Sequence, residues 1–64
     1  MREGEQVSVS FQRDADGRMY EAVGTVEKIL SKDSCTVFWK YFDSERNYTE
    51  RYHRVFTEEE LYAK

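Results

Sequence analysis

Four aromatic rings stand close together in the segment Thr36 to Asp43, which has the sequence TVFWKYFD. The face of an aromatic ring attracts a cation by about 0.5–1 kcal/mol at an exposed site and by about 2 kcal/mol or more at a desolvated one. Rings are also the largest apolar side chains with which a small domain can fill its core. The segment could therefore bind a cationic ligand, supply the core, or divide its rings between these two tasks.

The other reactive side chains do not form a catalytic set. Cys35 and His53 are the single residues of their types, and together they fall short of the four ligands of a structural zinc site. Cys35 alternates onto an apolar face, which favours a buried and inert thiol, and His53 lies in a charged stretch typical of the solvated surface. No nucleophile with a matching acid and base is present, and no Gly-rich phosphate loop. The sequence predicts a protein that is not an enzyme and binds neither a metal nor another cofactor.

Length and charge narrow the class of protein further. The 64 residues predict one domain, 1–64, and the 10 basic and 13 acidic residues give a net charge of −3. Proteins that bind duplex DNA usually carry a basic surplus, so this charge disfavours nucleic acid and suits a basic peptide or tail. The unpaired cysteine and the lack of a long apolar stretch predict an intracellular, reducing compartment and no membrane association.

Hydrophobic periodicity predicts four strands. Residues 6–12 alternate between polar and apolar side chains with the period of a half-buried strand. Asp16 and Gly17 then predict a reverse turn, because glycine accepts a positive φ without steric cost. A long second strand is expected over 19–30, in which Gly24 interrupts the alternation and indicates a bulge or a sharp bend. The third and fourth strands are expected at 35–42 and 48–55.

The C-terminal segment predicts a single helical turn. Thr57 and Glu60 match a capping box, and Phe56 and Leu61 could form the hydrophobic staple that accompanies it. Four or five short strands with one helical turn are most economically arranged as a strongly bent antiparallel sheet that closes on itself. We therefore expect an all-β fold, a small SH3-like barrel.

Four short motifs occur along the chain: GEQVSVSF at 4–11, DGRMYEA at 16–22, CTVFWKYFDS at 35–44 and EEL at 59–61. In this order they resemble the survival-motor-neuron type of Tudor domain, within the wider Tudor and chromo-barrel family of methyl-readers. The resemblance covers nearly the whole chain. Two departures occur: the second strand holds one residue more near Gly24, which a bulge would absorb, and the stretch from Ser44 to Leu61 is longer.

Tudor domains bind methylated lysine or methylated arginine in a cage of aromatic rings. The resemblance implies a monomeric reader of a histone or another Arg/Lys-rich tail in the nucleus. It assigns the cage rings to Phe11, Tyr20, Trp39 and Phe42, and the polar cage residue to Asp43 or Ser44. Tyr41 and Tyr48 are reserve rings, because a one-residue slip in register exchanges the two faces of a strand.

The chemistry of a methylated cation is compatible with such a cage. Methylation removes hydrogen-bond donors from an ammonium or guanidinium group but leaves its charge, so the group suits several converging ring faces. A neighbouring carboxylate such as Asp43 could accept a hydrogen bond from any remaining N–H. Core packing is the competing interpretation, since Phe11 shares a face with Val7 and Val9, and Trp39 shares one with Val37.

Two other functions remain open. An SH3-like barrel could bind nucleic acid by ring stacking, and its basic residues would then be Lys40, Arg46, Arg51 and Arg54. Clustering of these four on one face would favour that function. A scaffold barrel without a working cage could instead dock a partner protein through an edge strand.

Overall fold

The computed structural model describes residues 1–62, which form four strands and one short helix. Their bounds are β1 Gln6–Gln12, β2 Met19–Ser31, β3 Ser34–Asp43, β4 Tyr48–Thr57 and α1 Glu58–Tyr62. All neighbouring strands are antiparallel, and the sheet order is β1-β2-β3-β4. The predicted all-β class, its four antiparallel strands and its C-terminal helical turn are confirmed. Within residues 1–62, β1 and β4 are the two edges of this sheet and are not paired with each other.

Local turn chemistry explains the connection between β1 and β2. Gly17 has a φ of 69°, and its N–H donates to the carbonyl of Arg13 at 2.7 Å. The Asp16 carboxylate accepts a hydrogen bond from the N–H of Arg18 at 3.0 Å, as aspartate does in turns of this kind. The predicted reverse turn is therefore present, and the long strand β2 begins two residues after Gly17.

One face of the sheet carries the whole buried core. Alternation along β1 directs every second residue inward, and the register of the sheet aligns these residues with their counterparts on β2 and β3. The buried apolar residues are Val7, Val9, Phe11, Val26, Cys35, Val37 and Trp39. The Cys35 thiol is fully buried, and this burial raises its pKa. Among the described residues no helix is long and apolar enough to cross a membrane.

Gly24 allows a close approach between strands, and the bulge expected there lies further along β2. Gly24 pairs with Val7 in regular register, and the register of β2 with β3 shifts between Val26 and Lys28. A Cβ atom on Gly24 would lie 2.5 Å from Cγ1 of Val37 and 3.2 Å from the carbonyl oxygen of Phe38. Glycine is needed at this position because β3 packs against the backbone of β2.

The capping box at the start of α1 is formed. The Thr57 hydroxyl accepts a hydrogen bond from the N–H of Glu60 at 3.2 Å, and the Glu60 carboxylate accepts one from the N–H of Thr57 at 3.0 Å. Phe56 and Leu61, the predicted staple residues, are half-buried and pack against the core. These contacts hold the helix across one end of the sheet.

Candidate functional site

An arginine is buried where β1 ends. Val7, Val9 and Phe11 alternate onto the inner face, and Arg13 continues this alternation one step beyond Gln12. Its relative exposure is 6%, the lowest of any charged residue among residues 1–62. Burying a charge is costly unless the charge is paired and hydrogen-bonded, so the partners of Arg13 define this end of the sheet.

Three carboxylates surround the Arg13 guanidinium. Glu50 binds it in a bidentate manner, with Nε to Oε1 at 3.1 Å and Nη2 to Oε2 at 3.0 Å. Asp43 accepts from Nη2 at 2.9 Å, and Asp16 lies 3.4 Å from Nη1. The carboxylates come from the β1–β2 turn, the end of β3 and the start of β4. Arg13 therefore ties four parts of the chain together through charge-assisted hydrogen bonds.

Two tyrosine rings lie against the same guanidinium. The guanidinium carbon is 4.5 Å from the centre of the Tyr41 ring and 5.4 Å from the centre of the Tyr20 ring, both within cation–π range. The two rings meet edge to face with their centres 5.1 Å apart, and each lies 6.1 Å from the ring of Phe11. Three aromatic rings therefore meet at this end of the sheet, and two of them already contact the cationic guanidinium.

We call the group Arg13, Asp16, Tyr20, Tyr41, Asp43 and Glu50 the Arg13 cluster. An open pocket of about 270 Å³ lies over it and is also lined by Ser44, Glu45 and Arg46. Arg46 lies 3.7 Å from Asp43, and its own side chain is largely exposed. The pocket lining thus combines two tyrosines, three carboxylates and the Ser44 hydroxyl with the guanidinium groups of Arg13, Arg18 and Arg46.

Hydrogen bonds within the cluster stabilise its charged states. The bonds with Glu50 raise the pKa of Arg13, and Arg13 in turn lowers the pKa of Glu50. Burial acts against ionisation of Asp43, but hydrogen bonds from the N–H of Arg46 and from the Arg13 guanidinium outweigh burial and lower its pKa. The cluster therefore keeps its carboxylates ionised and its arginine charged at neutral pH.

Two tyrosine hydroxyls donate hydrogen bonds to carboxylates of the cluster and help to orient them. The Tyr20 hydroxyl donates to Asp16, which lowers the pKa of Asp16 and raises that of Tyr20. The Tyr52 hydroxyl donates to Glu50 at 2.7 Å, and burial together with this bond raises the pKa of Tyr52 to about 12. These bonds leave few free acceptor positions on the carboxylates, so most of the hydrogen-bonding capacity of the cluster is used within the protein.

Several residues expected in the cage are brought to this end of the sheet. Tyr20 and Asp43 belong to the cluster, Ser44 lines its pocket, and Phe11 is buried with an exposure of 3% and packs against the rings of Tyr20 and Tyr41. Tyr41, a reserve ring, is the second ring on the cation.

Trp39, Phe42 and Tyr48 lie elsewhere. Trp39 is only 1% exposed and stacks on Tyr52 with ring centres 5.3 Å apart, so it is core and not an accessible wall. Phe42 is 56% exposed but points to the opposite face, because it directly follows Tyr41 on β3. Tyr48 pairs with Asp43 in register and is 61% exposed, without a described contact to the cation.

Arg13 and Glu50 were not expected at the site. The available signal was alternation: Arg13 continues the inner face of β1, and Glu50 precedes the inward Tyr52 by two residues. A charged residue in an inward position predicts either the end of the core or a buried ion pair. The sequence alone does not decide which carboxylates would reach the guanidinium.

The four basic residues considered for nucleic acid do not share one face. Lys40 and Arg51 are opposite each other on the outer face, whereas Arg54 pairs with the inward Val37 and lies over the ring of Tyr52. Arg46 lies in the β3–β4 turn beside Asp43. Within the part of the chain that the structure describes, no group of three or more His, Cys, Asp or Glu residues could hold a metal ion.

No family model matches this chain, and the searches of curated proteins and of solved structures likewise return no similar protein.

Proposed function

We propose that this protein is a non-catalytic reader module that recognises a methylated lysine or methylated arginine side chain on a protein tail. The observation that carries the proposal is the placement of the Arg13 guanidinium on the faces of Tyr20 and Tyr41, beside the carboxylates of Asp43 and Glu50. A site that holds a cationic side chain in this way has the chemistry to hold another. The resemblance to Tudor domains supports the same class of ligand and an SH3-like barrel as the complete fold.

In this proposal the ligand competes with Arg13 for the two ring faces. A methylated cation has few N–H donors, so it depends on the rings more than on the carboxylates. Arg13 would rotate toward Asp16 and the open pocket, and Asp43 would neutralise the incoming charge. Displacing Arg13 costs free energy, so the apparent affinity is lowered by the fraction of molecules whose rings are free.

The partner and its location follow the same proposal. A net charge of −3 favours a basic tail, such as a histone tail or an Arg/Lys-rich segment of an RNA-processing protein, by steering that weakens as salt is added. A nuclear location rests on the Tudor resemblance alone.

The proposal is tested by titrating ¹⁵N-labelled protein with trimethyl-lysine, symmetric dimethyl-arginine and their unmethylated parents. We expect the methylated ligands to shift the Arg13 side-chain Nε–H signal and the amides of Tyr20 and Tyr41. The matched variants are Tyr41→Ala and Phe42→Ala, which remove neighbouring rings from opposite faces. Tyr41→Ala should abolish the response and Phe42→Ala should leave it unchanged.

An Arg13→Ala variant, if it remains folded, should bind the methylated ligands more tightly, because the rings are free and three carboxylates lack a cation. Equal responses to methylated and unmethylated ligands, or equal effects of the two ring variants, would refute the reader function. A response to a short oligonucleotide at Lys40 and Arg51, with none to the amino acids, would also refute it.

A scaffold protein is the second candidate, and the closely satisfied state of Arg13 favours it. Every carboxylate around Arg13 already has additional hydrogen bonds, as a purely structural ion-pair network would have. In that case the cluster stabilises the fold, and partners dock elsewhere. If none of the four amino-acid ligands shifts the protein signals, both in the natural protein and in Arg13→Ala, that result would support this candidate.

A further inference from the structure

The two edges of the sheet differ in how they are protected against pairing. Natural edge strands commonly carry charges or proline that prevent another strand from adding to them. The edge strand β4 carries Glu50, Arg51 and Arg54 among its ten residues. The other edge strand, β1, has the sequence QVSVSFQ, without a charged residue, proline or glycine. Of the two edges, β1 is the one open to strand addition.

The backbone of β1 offers a row of unpaired hydrogen-bonding groups. At one end of the pairing the carbonyl of Glu5 accepts from the N–H of Val26, and at the other the N–H of Arg13 donates to the carbonyl of Arg18. The backbone N–H and C=O groups of the odd-numbered residues of β1 therefore point toward β2. The N–H and C=O groups of Ser8 and Ser10 point the opposite way, and no strand within residues 1–62 pairs with them.

A groove runs beside this row. Ser8, Val9 and Ser10 form one side, and Phe56, Glu60 and Leu61 form the other, around a volume of about 390 Å³. Phe56 and Leu61 are half-buried and give the groove an apolar wall. An extended chain lying here could bond to the edge of β1 and place every second side chain against that wall.

The charge of the groove indicates its occupant. Glu58, Glu59 and Glu60 follow one another in α1, and the last turn of this helix has no basic residue. Glu60 lines the groove, and Glu58 and Glu59 precede it in the same short helix, so α1 gives this end of the groove a negative charge that favours a strand whose outward residues are lysine or arginine. The β1 strand of a second copy, QVSVSFQ, carries no basic residue, so it lacks the charge that would complement α1.

We propose that β1 binds an extended segment of a partner protein, with alternating apolar and basic residues, by strand addition between Ser8–Ser10 and the Phe56–Leu61 wall. This surface is distinct from the Arg13 cluster. It gives the protein a second protein-binding function that does not depend on a methylated ligand. Backbone pairing supplies affinity, and the acidic helix selects for basic sequences.

The proposal is tested with a short synthetic peptide of alternating lysine and valine, added to ¹⁵N-labelled protein. We expect shifts and slowed hydrogen exchange at the amides of Ser8 and Ser10, and weaker binding as salt is added. Two control peptides are an alternating glutamate–valine peptide and a block peptide with the composition of the probe. Both should bind more weakly than the lysine–valine peptide. The glutamate–valine peptide is negatively charged like α1, and the block peptide cannot place all of its valines on one face of a strand.

The matched variants are Ser8→Pro and Gln12→Pro. Both residues direct their N–H away from β2, so proline removes an outward donor at either position without removing a bond to β2, as edge strands tolerate. Ser8→Pro should weaken peptide binding by about fivefold or more, which corresponds to one lost hydrogen bond. Gln12→Pro lies outside the groove and should have little effect. Should Ser8→Pro not fold, Glu58→Gln with Glu59→Gln should weaken binding, whereas Glu45→Gln should not.

Three results would overturn the proposal. The first is equal binding of the alternating and block peptides. The second is an equal loss of peptide affinity in Ser8→Pro and Gln12→Pro. The third is a concentration-dependent dimer that protects Ser8 and Ser10 without any peptide, which would assign this edge to a second copy. Unchanged peptide binding in Tyr41→Ala would separate this surface from the reader site.

Discussion

Arg13 and Glu50 form a bidentate ion pair between the end of β1 and the start of β4, the two edge strands of the sheet. This contact spans 37 positions of sequence, and it joins two strands that are not hydrogen-bonded to each other. Tyr41, which pairs with Glu50 in register, lies against the same guanidinium. The ion pair thus links the two edge strands at one end of the sheet, within the candidate site.

Replacing Arg13 by alanine should destabilise the protein strongly, because three neighbouring carboxylates would lose their cation. We expect a fall in melting temperature of about 10 °C, measured by circular dichroism. Arg18→Ala is the matched control, since Arg18 is exposed beside the same turn, and it should change the melting temperature little. Arg13→Lys should lie between the two, because lysine keeps the charge but lacks the bidentate fork. Similar melting temperatures for Arg13→Ala and Arg18→Ala would contradict a stabilising role for the cluster.

Gly24→Ala should destabilise the sheet by about 1–3 kcal/mol through overpacking. The added methyl group would overlap Cγ1 of Val37 and crowd the carbonyl of Phe38. The double variant Gly24→Ala with Val37→Ala gains room for that methyl group, so its loss of stability should be smaller than the sum of the two single losses. Urea denaturation of the four proteins measures this coupling, and strictly additive losses would show that the two sites do not touch.

Acid should remove the stabilisation that the cluster provides. The pKa values of Asp16, Asp43 and Glu50 are lowered in the folded protein, from ordinary values of 3.8 for aspartate and 4.5 for glutamate. A group of this kind contributes stability above its unfolded pKa and loses it as pH falls through the folded pKa. We expect the free energy of unfolding to be nearly constant from about pH 7 to about pH 5 and to fall steadily below that.

Urea denaturation at a series of pH values measures this dependence. In Arg13→Ala, Glu50 loses the main hydrogen-bond partner that lowers its pKa, and Asp43 and Asp16 each lose one of several, so the acid decline should become shallower. An unchanged decline in the variant would assign the acid sensitivity to carboxyl groups outside the cluster.

Thr57→Ala should cost about 1 kcal/mol by removing the cap of α1. The hydroxyl of Thr57 accepts the N–H of Glu60, and alanine leaves this donor without a partner from its own turn. Thr57→Ser keeps the hydroxyl and should retain most of the stability. Backbone chemical shifts of Glu58 to Tyr62 report the helix directly, and a helix that persists fully in Thr57→Ala would show that packing of Leu61 alone maintains it.

Local features of the fold were predictable because they depend on neighbouring residues. Alternation predicted β1 with its observed bounds, and the starts of β2 and β4 as well, while β3 extends one residue further at each end. The Asp16-Gly17 turn and the Thr57 cap follow from the conformations these residues favour and the hydrogen bonds they make. The sequence indicated a bulge or a sharp bend at Gly24; the register shift lies later, between Val26 and Lys28, and Gly24 interrupts the apolar pattern where β3 approaches closely.

The site depended on information that neighbouring residues do not carry. Whether Tyr41 or Phe42 meets the ring of Tyr20 depends on the pairing of β3, where a one-residue slip exchanges the faces. Trp39 shares its face with Tyr41, yet it lies deeper and is covered by Tyr52 from β4.

The sequence by itself determined the strand segments, the turn, the helix cap and the inward face of β1, because these follow from backbone preferences and from periodicity within a few residues. Only the tertiary structure decided which rings are core and which meet a cation, and that Arg13 is this cation. The physical reason is that burial and ion pairing depend on distances between strands far apart in sequence. Asp16, Asp43 and Glu50 reach one guanidinium only once the four strands have paired.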